Sequence, residues 1–220
     1  MSTELTNAEE NYLKAIYKLS LIAIGKISNV ELAGILKLNP PTVLEMVRRL
    51  QKKNLLRYNK KTGVILSEKG KKKAIQTIRK HRLWEVFLHE KLGFRWDEVH
   101  QIAEQLEHVQ SDELLKRLDK FLEYPKFDPH GDPIPNANGK LTEHSGIPLS
   151  KSNSVKIHTV VGVKNNDDSF LKLLGTNKIQ LGSQIKIMNT EDFDQSMKIK
   201  IDKKYIVRIS KKVSENLLVI

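Results

Sequence analysis

An α+β chain is predicted, with a winged helix-turn-helix at the N-terminal end, long helices after it and a small twisted sheet at the C-terminal end. Three observations predict it. Apolar residues recur at helical spacing through most of residues 6–122; a basic stretch containing a β-hairpin pattern interrupts them; and short alternating runs follow residue 155.

Thr6 is placed to cap a helix over LTNAEENYLKAIYKLSLIA, where Leu13, Ile16, Tyr17 and Leu21 recur on one face. NVELAGILKL fits a short second helix. Asn39-Pro40-Pro41 then forces a turn and opens a third, PPTVLEMVRRLQKKN. Val43, Met46, Val47 and Leu50 form its core stripe, which leaves Thr42, Glu45, Arg48, Arg49 and Lys52 on the outer face. Two β-prone runs, Leu55 to Tyr58 and Val64 to Leu66, flank a turn at Asn59–Gly63 and read as a wing. Long helices are expected over roughly 68–92 and 96–122, separated by Gly93. Leu83, Trp84, Phe87, Leu88 and Leu92 supply more apolar surface there than a monomer needs. From Tyr124 to Asn153 five prolines mark a linker, and VKIHTVVGV, IQLGSQIKIM, MKIKID and YIVRIS supply the strands of a small sheet or barrel.

Charge separates the functions. Residues 37–80 carry fourteen Lys or Arg against Glu45 and Glu68, an excess equal to the +12 of the whole chain. Lysine and arginine at that density neutralise phosphates, and a helix with an outward basic face enters the major groove of duplex DNA. Pro41, Thr42, Glu45, Arg48, Arg49 and Lys52, with Lys60 and Lys61 of the wing, are the expected DNA contacts. Tyr58 is the only aromatic residue of this stretch, which argues against a base-stacking single-strand binder. There is no cysteine, no membrane-length apolar run and no secretory leader pattern, so a cytoplasmic protein without disulfides or thiolate metal sites is expected.

Residues 97–123 reverse the sign, with eight acids against three bases. At about 100° per residue, His100, Glu104, Glu107 and His108 fall within one third of a helix, bordering the apolar arc of Val99, Ile102, Leu106 and Val109. Imidazole and carboxylate at such spacing suit a divalent cation, and His81 and Glu85 repeat the i, i+4 pattern on the preceding helix. The plain alternative is a set of surface His–Glu pairs. The zinc-protease order His-Glu-x-x-His, a Gly-rich phosphate loop and a nucleophile elbow are all absent, so an enzyme is not expected. A metalloenzyme using the same ligands to activate water is the rival class.

"ENYLKAIYKL" (10–19), "NPPTVLEMVRRLQKKNLL" (39–56), "KHRLWEVFL" (80–88), "EVHQIAEQLEHVQSDEL" (98–114) and "DPHGDPIP" (128–135) together resemble the diphtheria toxin repressor family of metal-dependent transcriptional regulators. The resemblance covers nearly the full chain. It implies a DNA-binding domain at 1–70, a helical dimerisation and metal-binding domain at 71–124, a Pro-rich linker at 125–153 and an SH3-like domain at 154–220. It further implies a homodimer on a double-stranded operator, activated by Mn²⁺ or, alternatively, Fe²⁺. A primary site would use Asn11, Glu104, Glu107 and His108. An ancillary site would use His81, Glu85 and His100, with Asp128 and His130 as further candidates and Asp168 as an oxygen ligand from the C-terminal domain. Glu104 stands where the iron-sensing branch has cysteine, as in the manganese-sensing branch. Asn11 stands where aspartate or methionine is usual, and Lys14 replaces a carboxylate of the short manganese sensors.

Overall fold

The computed structural model describes residues 4–23, 25–142, 146–153 and 155–220, the side chain of Asp168 excepted. The chain divides into two compact units. The first holds the described residues up to His81 with 106–111 and 135–140; the second holds 82–105, 112–134 and the described residues from 141 onward.

In the first unit, helix α1 (Asn7–Ile22) begins at a capping box. The Thr6 hydroxyl accepts from the Glu9 amide, and the Glu9 carboxylate accepts from the Thr6 amide. Leu13, Ile16 and Tyr17 are buried as their spacing predicts, but the stripe stops a turn early and Leu21 is 63% exposed. Helix α2 (Asn29–Leu36) carries a second capping box, Ser28 with Glu31, and closes on Lys37 in the left-handed conformation. Helix α3 (Pro40–Lys52) starts where the Asn39 side chain accepts from the Thr42 amide and proline occupies the first turn. Val43, Val47 and Leu50 of α3 are fully buried with Leu13, Ile16 and Leu32, and Met46 packs at the edge of this core. The wing pairs β1 (Leu56–Asn59) with β2 (Gly63–Leu66) antiparallel, Leu56 opposite Leu66 and Asn59 opposite Gly63. Gly63 is required there: its φ is +75°, and a Cβ would lie 2.4 Å from the Ile27 carbonyl oxygen.

Helix α4 runs Glu68–Glu90. In the second unit its C-terminal part packs Leu83 and Val86 with Leu118, Leu122 and Ile134. The single helix expected over 96–122 is two, α5 (Val99–Leu106) and α6 (Asp112–Phe121), so Glu107 and His108 stand in a turn. Ser111 followed by Asp112 and Glu113 is the start signal of α6. The C-terminal sheet has strands β3 (Ile147–Pro148), β4 (Ile157–Val163), β5 (Gln184–Thr190), β6 (Met197–Ile201), β7 (Tyr205–Ile209) and β8 (Leu217–Val219), in the order β3-β8-β4-β5-β6-β7, all neighbours antiparallel. Helix α7 (Asp168–Thr176) follows β4, and α8 (Lys211–Asn216) precedes β8. Leu171 and Leu174 of α7 are fully buried with Ile185, Ile199 and Val219, and Trp96 joins this core. Among the described residues, no helix is long and apolar enough to cross a membrane.

Candidate metal centre and nucleic-acid face

The outer face of α3 is built as its period requires. With Val43, Val47 and Leu50 turned inward, Pro41, Thr42, Glu45, Arg48, Arg49 and Lys52 are all exposed, as are Lys60 and Lys61 at the wing tip. Arg49 is anchored from beneath: its Nε lies 3.0 Å from Oε1 of Glu9, and Lys53 Nζ reaches the same oxygen at 2.7 Å. Glu9 is fully buried. Burial alone would raise its carboxyl, but the Lys53 hydrogen bond, the Thr6 amide and the charges of Lys53 and Arg49 outweigh it and hold the group below the ordinary range. A buried acid on α1 thereby ties down the C-terminal end of α3.

The second unit gathers a cluster about the "DPHGDP" segment. A bridge between Phe127 and Pro133 and the Ile134 amide bonding to the Lys126 carbonyl close this segment into a loop. The His130 carbonyl accepts from the Val163 amide at the end of β4. Asp128 and His130 are thereby buried beside Glu85 of α4, with one donor atom from each of the three lying within 4.8 Å of the others. His130 Nε2 is 2.7 Å from the Trp96 carbonyl oxygen. A carbonyl only accepts, so Nε2 carries the proton and Nδ1 faces Glu85 Oε1 at 3.8 Å. His100 Nδ1 lies 3.2 Å from the same oxygen, and Glu104, exposed on α5, meets His100 Nε2 at 3.6 Å. Burial first, then the charges of Glu85 and Asp132, push the Asp128 carboxyl well above its ordinary range, against the pull of Arg82. Two buried carboxylates with one guanidinium and an oriented imidazole lone pair form an electron-rich pocket, and the residues fit a divalent cation with oxygen and nitrogen ligands.

The first unit holds a different cluster. Glu107, with no solvent exposure, accepts from Lys14 Nζ at 2.5 Å and meets His81 Nδ1 at 2.6 Å. His108 Nδ1 is 2.6 Å from Glu10 Oε2, and its Nε2 is 3.7 Å from Glu107 Oε1. Gln110 and Lys80 complete the surroundings of Glu10. Burial would raise the Glu107 carboxyl, but the His81 hydrogen bond and the Lys14 charge outweigh it, and the group sits below the ordinary range. The side-chain oxygen of Asn11 is buried without a hydrogen-bond partner among the described residues. Here two carboxylates, Glu10 and Glu107, already face two ammonium groups, Lys14 and Lys80, so this cluster does not fit a further dication as it stands.

The single stripe read from periodicity is therefore split: His100 and Glu104 stay on α5, whereas Glu107 and His108 turn in beyond its end. His81, one turn before Glu85 on α4, contacts Glu107. Asp168 opens α7, and its side chain lies outside the described residues. Glu10, Arg82, Asp132 and the Trp96 carbonyl were not read as site groups. Glu10 had a signal in its i, i+4 spacing to Lys14 beside the buried stripe of α1; the carbonyl had none.

A helix-turn-helix with a basic wing, followed in the same chain by buried carboxylates and imidazoles, defines a metal-linked DNA-binding regulator. The chain belongs to the diphtheria toxin repressor family, a family of transcriptional repressors and not of enzymes. Residues 4–64 match the iron dependent repressor N-terminal DNA binding domain, and residues 67–136 match the iron dependent repressor metal binding and dimerisation domain. The chain is 30% identical over 198 residues to the diphtheria toxin repressor of Corynebacterium efficiens, covering 86% of each. It is 39% identical over 132 residues to the iron-dependent repressor IdeR of Mycobacterium tuberculosis, a match spanning 60% of this chain and 57% of that protein's length. Among solved structures, a manganese-dependent transcriptional repressor in complex with manganese superposes with a TM-score of 0.80 at 31% identity, covering 96% of this chain and 99% of that one. The manganese regulator SloR gives 0.71 at 33% identity, covering 98% and 99%.

Proposed function

We propose that this chain is a homodimeric, Mn²⁺-activated repressor of metal-uptake genes that acts on a double-stranded operator in the cytoplasm. The observation that carries the reading is the buried Glu85–Asp128–His130 cluster with His100 beside it, in a chain that also presents the exposed basic face of α3. Oxygen and nitrogen donors without sulfur suit Mn²⁺ or Fe²⁺. The relatives are named for both ions: the solved structures cited are manganese regulators, and the mycobacterial protein is iron-dependent. The preference for Mn²⁺ is supported by the two carboxylates of the cluster, Glu85 and Asp128, in a chain without cysteine. Fe²⁺ in the same site is the second reading, favoured by the iron-dependent relatives.

Residues 1–70 would bind DNA through Pro41, Thr42, Glu45, Arg48, Arg49, Lys52, Lys60 and Lys61, and 71–124 would dimerise. Leu92, Leu114 and Phe121 are exposed apolar residues suited to a partner copy. Segment 125–153 delivers Asp128 and His130, and the Val163 amide at the end of β4 donates to the His130 carbonyl. When bound, the cation would supply the positive charge that this carboxylate-rich cluster lacks. Glu85, His100, Asp128 and His130, with His81 as a further candidate, would be its holders. His130 is oriented by the Trp96 carbonyl, and Asp128 by the amides of His130 and Asp132, so the donor set is arranged by the chain. Relief of the Glu85–Asp128 repulsion stabilises one arrangement of the second unit, and in a dimer that arrangement sets the spacing of two α3 helices on operator half-sites.

The test is fluorescence anisotropy on fragments of the chain's own and neighbouring transporter promoters, after chelation and then with Mn²⁺ or anaerobic Fe²⁺. Binding that requires metal and is lost in Glu85→Gln is the expected result. Equal affinity with and without metal would sink the reading.

A further inference from the structure

We propose that Lys14 is a tethered cation that closes the Glu10–Glu107 cluster to metal, so that the chain takes its divalent ion at the Glu85–Asp128–His130 cluster alone. The inference rests on the metal-responsive reading above and says which half of the histidine-rich sequence answers the metal.

The two clusters use similar side chains and differ in charge. Around Glu107, the buried Lys14 ammonium makes a direct contact with Oε1, one of the two oxygens through which this carboxylate could ligate a metal. The other oxygen meets His81 Nδ1. His108 spends Nδ1 on Glu10, and Glu10 further meets Lys80 Nζ at 3.5 Å and accepts from Gln110 at 3.0 Å. Carboxylates and ammonium groups balance two against two. A dication brought here would add two uncompensated charges in a place with almost no solvent, beside an ammonium it must first displace.

The second cluster has the opposite balance. Glu85 and Asp128 are buried and Asp132 stands beside them, against the single guanidinium of Arg82, whose Nε is 3.5 Å from Asp128 Oδ2. Among the described residues, the groupings of three imidazole or carboxylate donors within 4.8 Å all include Glu85, and none includes Glu107 or His108. Donor geometry and charge therefore select the same place. Lys14 performs in the first unit the linking task that a metal would: it joins α1 to the turn after α5 and holds that joint in the metal-free chain.

The experiment is the stoichiometry of Mn²⁺ on the full chain by equilibrium dialysis with elemental analysis, with circular dichroism to verify folding of each variant. Wild type is expected to hold one equivalent per chain, Glu107→Gln to keep it and Glu85→Gln to lose it. Lys14→Met removes the ammonium while keeping most of the side-chain volume, and it is expected to gain a second equivalent at Asn11, Glu107 and His108. Two equivalents on wild type with one lost in Glu107→Gln would overturn the proposal, as would a folded Lys14→Met that stays at one. Should Lys14→Met fail to fold, the counts on wild type, Glu107→Gln and Glu85→Gln still decide. No Mn²⁺ on wild type would refute the functional reading alone; a site gained in Lys14→Met would still support the role of the lysine.

Discussion

Asp128 is a buried carboxylate held beside the carboxylates of Glu85 and Asp132, with the Arg82 guanidinium opposing them. Its Oδ1 accepts from the amides of His130 and Asp132, which a neutral asparagine oxygen would also do. What asparagine removes is the charge facing Glu85. Asp128→Asn should therefore raise the metal-free chain's stability at neutral pH by on the order of 1 kcal/mol, about 2–4 °C in Tm, while weakening Mn²⁺ binding. The pH dependence follows from the raised carboxyl. The native form binds the proton more tightly than the unfolded chain, so this contribution is complete below the unfolded pKa and is lost as pH rises through the folded one. Urea midpoints of the chelated wild type should fall across that window, and those of Asp128→Asn should fall less. Glu9 has the opposite sign. Its lowered carboxyl stabilises the fold above the unfolded pKa and loses that contribution as pH falls through the folded value. Glu9→Ala removes the acceptor of Lys53, Arg49 and the Thr6 amide but leaves cations that water can reach, and should cost about 1.5–3 kcal/mol, read as a lower urea midpoint with a flatter acid limb.

At the scale of elements, local chemistry was legible and long-range polarity was not. Thr6 and Asn39-Pro40-Pro41 announced the starts of α1 and α3 because such signals are written within four residues, and the turn residues of the wing did the same; Ser28 carries an equivalent cap for α2 that was not read from the sequence. The break after Leu106 escaped because the 3.6-residue period continues through Glu107 and His108 although the backbone does not. A moment of angle cannot reveal a turn that keeps phase. The pairing of Lys14 with Glu107 spans 93 positions and leaves no local trace, and α7 falls between two runs read as strands, in a stretch given no element. The loop of residues 127–133 was legible as a ligand source but not as a structure. It depends on Gly131, whose φ is +86° and whose Cβ would sit 2.2 Å from the Val161 carbonyl oxygen. Gly131→Ala should lift the loop from β4, destabilising the second unit by about 1–3 kcal/mol and weakening Mn²⁺ binding although no ligand is changed. Isothermal titration with Mn²⁺ on the folded variant checks this, and unaltered affinity would mean that the loop does not position Asp128 and His130. On α3, Arg48→Ala should relax operator choice at one base position, at a cost of about 1–3 kcal/mol. Lys60→Ala should weaken all sequences alike and reduce the salt slope by about one.

For the whole molecule, the excess of +12 means that DNA affinity has two components, and they respond differently to the metal. Phosphate attraction by Arg48, Arg49, Lys52, Lys60 and Lys61 requires only that these side chains be exposed, which they are without any ion. Operator recognition requires two α3 helices at a fixed separation, a property of the dimer that the state of the second unit would bias. Mn²⁺ should therefore tighten operator binding while leaving affinity for random duplex nearly unchanged, and both should fall with salt at similar slopes. Because the ion and the operator are linked through the same equilibrium, the factor by which Mn²⁺ tightens operator binding must equal the factor by which the operator tightens Mn²⁺ binding. Coupling of this kind typically amounts to about 1–3 kcal/mol, or roughly 5–150-fold. Anisotropy titrations at several Mn²⁺ concentrations give the first factor, and Mn²⁺ titrations of the protein with and without operator give the second. Equal factors that vanish together in Glu85→Gln place the switch at the second-unit cluster. If Mn²⁺ instead tightened random duplex as much as operator, the ion would be acting through added positive charge, and the arrangement of the α3 helices would not be what it controls.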